Sequence, residues 1–250
     1  MAEALVKGLV DHGVHEPAEI RVVEVLDARR IELEHLLPGV QVADSAVACE
    51  GLVLATKPAD ALHALEKAAA AGVHRVLSIA AGVRLEPLEA AAGHGIAVIR
   101  AMPNTAALVG AAASAICAGR DVGEADIAWA TETLGAVGIV EQVPEKSMDA
   151  VTGLSGSGPA YMFMVAEALV EGGVLAGLAR DVADRLARQT LLGAARLLED
   201  PRVTPEQLRA AVTSPGGTTA AGLRALEDRA VRAALIDAVD AAATRSTELG

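Results

Sequence analysis

The sequence predicts an α/β half built on a doubly wound parallel sheet, followed by a half that contains only helices. Three observations support this prediction. Short β-branched runs alternate with alanine-rich runs up to about residue 143, strand-like segments stop near Ser147, and hydrophobic residues make up 52% of the 250 residues. Strands that alternate with helices at this spacing are typical of βαβ units. The later change to helices alone indicates two domains, which we place at residues 1–145 and 146–250.

The first half is predicted to begin with a helix, because residues 1–9 carry apolar side chains at helical spacing. After it, segments rich in valine and isoleucine alternate with segments rich in alanine, which indicates strands and helices in turn. Strands are expected at residues 20–25, 40–42, 52–55, 76–79, 97–99, 112–117 and 139–143. Helices are expected at residues 29–37, 60–71, 85–92 and 124–134.

The second half is predicted to contain five helices. Pro159 is suited to the first turn of a helix, and the apolar run after it extends to about residue 172. Because these helices are rich in alanine and apolar on more than one face, they need partners outside their own domain, which indicates a helical dimer interface. The other four helices are expected at residues 181–198, 205–212, 218–227 and 231–248.

Composition excludes several classes of function. The net charge of −12 argues against nucleic acid or an anionic membrane as a partner. The sequence starts with no signal-peptide pattern and has no apolar run long enough to cross a bilayer, so we expect a cytoplasmic protein. The histidines show no metal-ligand spacing, and no metal is expected. Cys49 and Cys117 lie in segments rich in alanine and valine and are predicted to be buried thiols.

The start of the chain lacks a motif that this fold class predicts. Doubly wound sheets bind dinucleotide phosphates at a Gly-x-Gly-x-x-Gly turn after the first strand, and here neither that strand nor that turn precedes the first helix. We therefore expect Met1 to be an internal methionine, preceded by about ten to fifteen residues that end in a Gly-x-Gly turn. We also expect a gap of about 9–10 Å, two strand spacings, between strands 20–25 and 52–55.

Three loops at strand ends nevertheless predict a ligand site. Residues 55–58 follow one predicted strand, small residues at 78–82 end the next, and residues 100–105 end the third. The carboxyl ends of parallel strands share one edge of the sheet, where such folds bind ligands. Small residues there allow a ligand to approach the backbone closely.

Two segments of the second half are also rich in small residues. Residues 152–161 are predicted to form a loop that leads into the helix at Pro159. In residues 212–223, a Pro-Gly-Gly turn precedes Thr218 and Thr219, which are expected to be cap and first-turn residues of the next helix. The free N–H groups and the positive dipole end of such a helix suit a small carboxylate.

These motifs resemble those of pyrroline-5-carboxylate reductase, and the resemblance covers essentially the whole chain. It rests on residues 100–110, 152–161, 212–223 and 244–249. It implies reduction of the imine 1-pyrroline-5-carboxylate to L-proline by a nicotinamide cofactor, the last step of proline biosynthesis. It also implies a cofactor-binding Rossmann domain and a helical domain that interlocks with a second subunit, in a homodimer or a larger ring of dimers.

The resemblance implies roles for four residues at the substrate. Thr219 matches the threonine whose hydroxyl meets the substrate's ring nitrogen, and Ser214, Gly217 and Thr218 match the turn that holds its carboxylate. Hydride addition to an iminium carbon depends on orientation and on a donor near the nitrogen. A sequence that offers no catalytic His, Lys or Cys therefore agrees with this reaction.

Other residues are expected at the cofactor. Ala81 and Asn104 lie in the second and third strand-end loops, and Asn104 is expected at the nicotinamide end. Glu24 and Asp27 lie at the end of the strand at residues 20–25, where an acid favours the ribose of NAD. Arg29 and Arg30 come shortly after, within reach of a 2′-phosphate, so we expect NADPH as the cofactor, with NADH as an alternative. The cofactor-contacting loop of the family is matched by Ala55, Thr56, Lys57 and Pro58.

Two alternatives remain open. An enzyme of the β-hydroxyacid dehydrogenase type has a similar two-domain plan, but it requires a lysine in the first long helix of the second domain. The helix that starts at Pro159 contains no lysine. A non-catalytic oligomerising protein is the other alternative, since the glycine-rich turn is absent.

Overall fold

A computed structural model describes all 250 residues, Met1–Gly250. The chain forms two compact units, Met1–Ser157 with Ala241–Gly250, and Gly158–Asp240. The predicted fold class is confirmed, because helices and mainly parallel strands form the first unit and helices alone form the second. The domain bounds expected from the sequence, 1–145 and 146–250, stay a prediction.

Apart from the short helix α6, which was not predicted, the helices and strands agree with the predicted ones in type and, to within a few residues, in position. The strands are β1 Arg21–Val23, β2 Gln41–Ala43, β3 Cys49–Leu54, β4 Val73–Ser78, β5 Ala97–Met102, β6 Ala112–Ala118 and β7 Gly138–Gln142. The α-helices are α1 Ala2–Asp11, α2 Asp27–Leu36, α3 Pro58–Ala71, α4 Leu85–Ala92, α5 Glu124–Gly135, α6 Met148–Val151, α7 Gly158–Leu175, α8 Arg180–Leu197, α9 Pro205–Ala211, α10 Thr218–Asp228 and α11 Val231–Leu249.

The strands form two separate sheets. β1 pairs with β2 in parallel, and the larger sheet has the order β3-β4-β5-β6-β7. No hydrogen-bonded ladder joins β1 with β3. The expected separation of these two strands is therefore confirmed, whereas its width stays a prediction.

Two strands of the larger sheet run opposite to the other three. β3, β4 and β5 are mutually parallel, and β7 is parallel to β6, but β6 runs antiparallel to β5. The predicted parallel sheet is therefore mainly parallel, with one antiparallel pair between β5 and β6. The connection from β5 to β6, residues 103–111, contains only a short 3₁₀ turn. A parallel crossover needs a dozen or more residues, so this connection is too short for one.

The core of the first unit lies on both faces of the larger sheet. Val76 and Val98 belong to a buried cluster that includes residues of α3 and α4. Their neighbours along the strands, Leu77 and Ile99, belong to a second cluster that includes residues of α1 and α5. Because successive strand residues point to opposite faces, both faces are buried, as in a doubly wound fold. This arrangement leaves the strand ends at the edge of the sheet available for a site.

The second unit has a much smaller core of its own. Its cluster of buried hydrophobic residues consists of Val170, Ala183 and Ala187, with Val174 packed against it. Large apolar side chains such as Phe163 and Leu175 are exposed on its helices. A helix that is apolar on every face normally lies in the interior of a larger body. No helix is both long enough and apolar enough to cross a membrane.

The two cysteines differ in exposure. Cys117 is buried in β6, as predicted, and burial raises the pKa of its thiol to about 11. Cys49 is exposed, so the prediction that it lies in the core is wrong. It is the first residue of β3, which has a partner strand on one side only, and an edge strand of this kind leaves side chains accessible.

Candidate functional site

The turn before α10 is formed by small residues in close contact. Gly216 has φ of +71°, which glycine adopts without strain. The N–H of Gly217 donates to the carbonyl of Ser214 at 3.0 Å. A Cβ atom at Gly217 would collide with the Ser214 hydroxyl, so the Ser214 side chain lies directly over the glycine. Gly217 itself is the N-cap residue, and the expectation that a threonine caps this helix is wrong.

Thr218 and Thr219 are the first two residues of α10. No side chain caps this helix, because its N-cap residue is a glycine. The first N–H groups of an α-helix have no partner within the helix, and the dipole is positive at this end. Thr218 is exposed and Thr219 is half-buried. The turn therefore offers backbone donors and two hydroxyl groups to a small anion.

The loop after β3 leads directly into α3. Lys57 is the N-cap residue of α3, Pro58 occupies its first turn, and no side chain caps the helix. Lys57 and Ala55 are exposed, whereas Thr56 is half-buried. The Thr56 hydroxyl oxygen is itself buried and has no hydrogen-bond partner. Buried polar atoms are nearly always paired, so this hydroxyl is available to a bound group.

The loops after β3, β4 and β5 lie at one edge of the sheet, because these strands are parallel neighbours. The N–H of Ile79 donates to Leu54 at 3.0 Å, which holds the first two loops side by side. Ala81 is exposed, and Gly82 has φ of +78°. The structure thus brings together the three strand-end loops that the sequence singled out.

Asn104, in the third loop, is almost fully buried and is already engaged in hydrogen bonds. Its side-chain oxygen accepts from the N–H groups of Ala106 at 3.2 Å and Ala113 at 3.3 Å. Its amide nitrogen donates to the carbonyl of Ser155 at 2.9 Å. An asparagine amide has two N–H donors and one oxygen with two lone pairs, so one N–H remains for a ligand.

Residues 152–156 form a π-helical turn between α6 and α7, not the loop that the sequence predicted. The hydroxyl groups of Thr152 and Ser155 donate hydrogen bonds to the carbonyls four residues earlier, those of Met148 and Val151 respectively. These bonds keep the segment helical despite its glycines. A π turn disrupts the regular hydrogen-bond ladder, so the carbonyl of Ser155 is free to accept the hydrogen bond from the side chain of Asn104.

The sequence analysis missed two polar clusters near these loops. Asp149 on α6 accepts hydrogen bonds from Ser246 at 2.7 Å and Thr247 at 3.0 Å. Arg100, which is buried in β5, pairs with Glu145 at 3.2 Å, and Glu145 also accepts from the N–H of Leu85. An arginine inside an apolar strand was a signal that its partner would be an acid. Nothing local marked the pairing of Asp149 with residues near the end of the chain.

Arg29 and Arg30 lie at the start of α2, and both are bound by acidic or carbonyl groups. Arg29 pairs with Glu3 at 3.0 Å and with Glu32 at 2.5 Å. Arg30 pairs with Asp27 and donates to the carbonyl of Glu24 at 2.8 Å. Neither guanidinium group is therefore free of partners.

The His, Cys, Asp and Glu side chains form no group of three or more that could hold a metal ion.

Comparison with known proteins gives one consistent result. Residues 145–249 match the family model described as pyrroline-5-carboxylate reductase dimerisation. The chain is 46% identical to a pyrroline-5-carboxylate reductase of Synechocystis sp., over all of this chain and 95% of that protein. The solved pyrroline-5-carboxylate reductase of Coxiella burnetii matches with a TM-score of 0.92 and 34% identity, over all of this chain and 94% of the other. The NADP-bound pyrroline carboxylate reductase of Plasmodium falciparum matches with a TM-score of 0.84 and 28% identity, covering 99% and 93%.

Proposed function

The chain belongs to the pyrroline-5-carboxylate reductase family, and from this premise we propose which of its residues perform the reaction. The enzyme reduces 1-pyrroline-5-carboxylate to L-proline with a nicotinamide cofactor. Because the chain belongs to this family, it is not an enzyme of the β-hydroxyacid dehydrogenase type. The proposal concerns the substrate turn, the cofactor loops and the assembly.

The observation that carries the proposal is the uncapped turn before α10. Ser214 lies over Gly217, and the helix offers its first N–H groups together with the hydroxyl groups of Thr218 and Thr219. We assign the substrate carboxylate to Ser214, Gly217 and Thr218. We assign the ring nitrogen to the Thr219 hydroxyl, which makes Thr219 the catalytic residue.

The three strand-end loops fit a nicotinamide cofactor. The buried hydroxyl of Thr56 has no hydrogen-bond partner, and no side chain caps the start of α3. We propose that Thr56 and Asn104, which keeps one free N–H, hydrogen-bond to the cofactor. Arg29 and Arg30 are proposed to face the 2′-phosphate of NADPH. The cofactor is proposed to approach the backbone closely at four small or exposed residues, Ala55, Lys57, Pro58 and Ala81.

The reaction requires little of the protein beyond binding and orientation. The cofactor, when bound, would supply a hydride for the carbon of the C=N bond, and a proton that the ring nitrogen takes up from water completes the secondary amine. The Thr219 hydroxyl donates a hydrogen bond to the nitrogen, while the turn holds the carboxylate and so fixes the face of the ring. Positioning of this kind contributes much of the rate enhancement in two-reactant chemistry.

The family match implies a homo-oligomer. We propose that the repeating unit is a homodimer formed through the helical half, and that such dimers can assemble into larger rings. The exposed apolar side chains of α7 and α8 support this proposal, because the buried cluster of that unit is small. A cytoplasmic location and the absence of nucleic-acid or membrane partners stay predictions.

An assay of the protein with 1-pyrroline-5-carboxylate tests the proposal. Oxidation of NADPH or NADH should occur only when this substrate is present, and proline should appear in equal amount. Absence of turnover with both cofactors, from protein shown to be folded, would contradict the proposed function. Binding of neither cofactor would instead support the non-catalytic alternative.

A further inference from the structure

The side chain of Arg29 lies between two carboxylates from different helices. One of its terminal nitrogens is 3.0 Å from Glu3 on α1, and the other is 2.5 Å from Glu32 on α2. Glu3 is also bound by Lys7 at 2.8 Å. The hydrogen bond from Lys7, with a further one from Arg29, keeps the pKa of Glu3 below its usual value, so Glu3 is ionised at neutral pH. Both terminal nitrogens of the Arg29 guanidinium group are therefore engaged by carboxylates.

Arg30 has a different environment. It donates to the backbone carbonyl of Glu24, just past β1, and it pairs with Asp27 in its own helix. Its side chain thus ties the start of α2 to the end of β1. Of the two arginines, Arg29 is the one whose partners are all side-chain carboxylates.

The position of this cluster matters for cofactor choice. In a doubly wound fold, the residues just past the second strand contact the adenosine ribose, and an arginine there accommodates the 2′-phosphate. We take β1, which leads into α2, as the counterpart of that second strand. A 2′-phosphate that reaches Arg29 meets a guanidinium already neutralised by Glu3 and Glu32. It must displace at least one carboxylate, or share the arginine with two anions.

We propose that Glu3 and Glu32 compete with the 2′-phosphate of NADPH for Arg29, and so reduce the preference of this enzyme for NADPH over NADH. This inference rests on the proposed function, since it requires that the cofactor binds at this edge. The carboxylates act as specificity determinants and touch no reacting atom. Since both ion pairs are partly exposed, each competitor is worth about a two- to five-fold change in affinity.

Equilibrium binding of NADPH and NADH, followed by fluorescence titration at low salt, tests this proposal. Glu32→Gln should lower the Kd for NADPH about two- to five-fold and leave the Kd for NADH unchanged. Glu34→Gln is the matched control, because Glu34 lies on the same helix, is exposed and makes no ion pair. Glu3→Gln should change the ratio of the two affinities in the same direction.

A second background separates competition from a general effect of charge. In Arg29→Ala protein, Glu32→Gln should no longer change the NADPH affinity, since the shared partner is gone. An equal effect of Glu32→Gln and Glu34→Gln would overturn the proposal, as would an effect that persists without Arg29. If the wild-type protein binds neither cofactor, the proposed function fails first. If it binds both while the substitutions leave their ratio unchanged, only this inference fails.

Discussion

Thr219 is the single residue on which the proposed chemistry depends most directly. Thr219→Val keeps the shape of the side chain and removes only the hydroxyl. Loss of one positioned donor typically lowers turnover by about ten- to a thousand-fold, and we expect kcat to fall within this range. Steady-state kinetics with saturating cofactor measures the effect, and circular dichroism checks the fold.

Thr218→Val is the matched control for this prediction. Because Thr218 is assigned to the carboxylate, its substitution should raise KM more than it lowers kcat. If Thr219→Val keeps the wild-type kcat, the hydroxyl has no part in the transition state.

Thr56 provides a second prediction for one residue. Its hydroxyl is buried without a partner, so Thr56→Val should leave the free energy of unfolding of the cofactor-free protein unchanged or slightly higher. The same change should weaken NADPH binding by about two- to ten-fold, the value of one hydrogen bond. Denaturant unfolding and fluorescence titration measure the two effects. A variant that is less stable but binds NADPH normally would show that the hydroxyl serves the fold.

Among the contacts between whole elements, Asp149 connects α6 with the C-terminal helix α11. Residues near the end of α11 donate two hydrogen bonds to this carboxylate on α6. Although burial acts to raise it, these bonds from Ser246 and Thr247 hold the pKa of Asp149 below its ordinary value of 3.8. A lowered folded-state pKa means that the stabilisation is fully present above the unfolded-state pKa. It is lost as the pH falls through the folded-state value.

Asp149→Asn should therefore lower the free energy of unfolding by about 1–2 kcal/mol at pH 7. The difference from the wild type should shrink below about pH 4, where the wild-type carboxylate begins to take up a proton. Urea unfolding at a series of pH values measures both trends, and Asp121→Asn, at an exposed position without an ion pair, is the control. A difference that does not depend on pH would mean that the charge of Asp149 is not involved.

Two elements differ from their predicted form for reasons of connection and packing. The glycine-rich segment before α7 was predicted to be a loop, since glycines favour loops. It is helical because its serine and threonine side chains return hydrogen bonds to the preceding turn. β6 is antiparallel because the segment before it is too short to cross the sheet. The helix and strand propensities of single residues carry no information about these side-chain hydrogen bonds or about the length of the connection.

For the whole molecule, the exposed apolar surface of the second unit is the decisive feature. α7 exposes Met162, Phe163 and Met164, and apolar surface of this extent marks an interaction site. Phe163→Glu would place a charge in the proposed interface, where an unpaired charge is costly. We expect it to shift the protein to smaller species in sedimentation velocity at micromolar concentration.

Phe163→Leu, which keeps an apolar side chain, should assemble as the wild type does. Circular dichroism verifies that the helices of both variants are retained. If Phe163→Glu sediments like the wild type, this face of α7 lies outside the subunit interface.

The fold class, the order of nearly all the elements and the three loops at the edge of the sheet were predictable from the local sequence. These follow from hydrophobic periodicity and from glycine and proline positions, which act over a few residues. Parallel strands must place their ends together, so the meeting of these loops at one edge was predictable as well.

Only the tertiary structure decided what each polar side chain contacts. Asp149 accepts a hydrogen bond from Ser246, although 97 positions separate the two residues. The side-chain oxygen of Asn104 accepts from two backbone N–H groups. The Thr56 hydroxyl has no hydrogen-bond partner. Arg29, which the sequence placed within reach of a 2′-phosphate, is bound by two carboxylates, one from another helix. Such contacts depend on how distant elements pack, because hydrogen bonds and ion pairs require approach within about 3–4 Å, and local pattern carries no information on that distance.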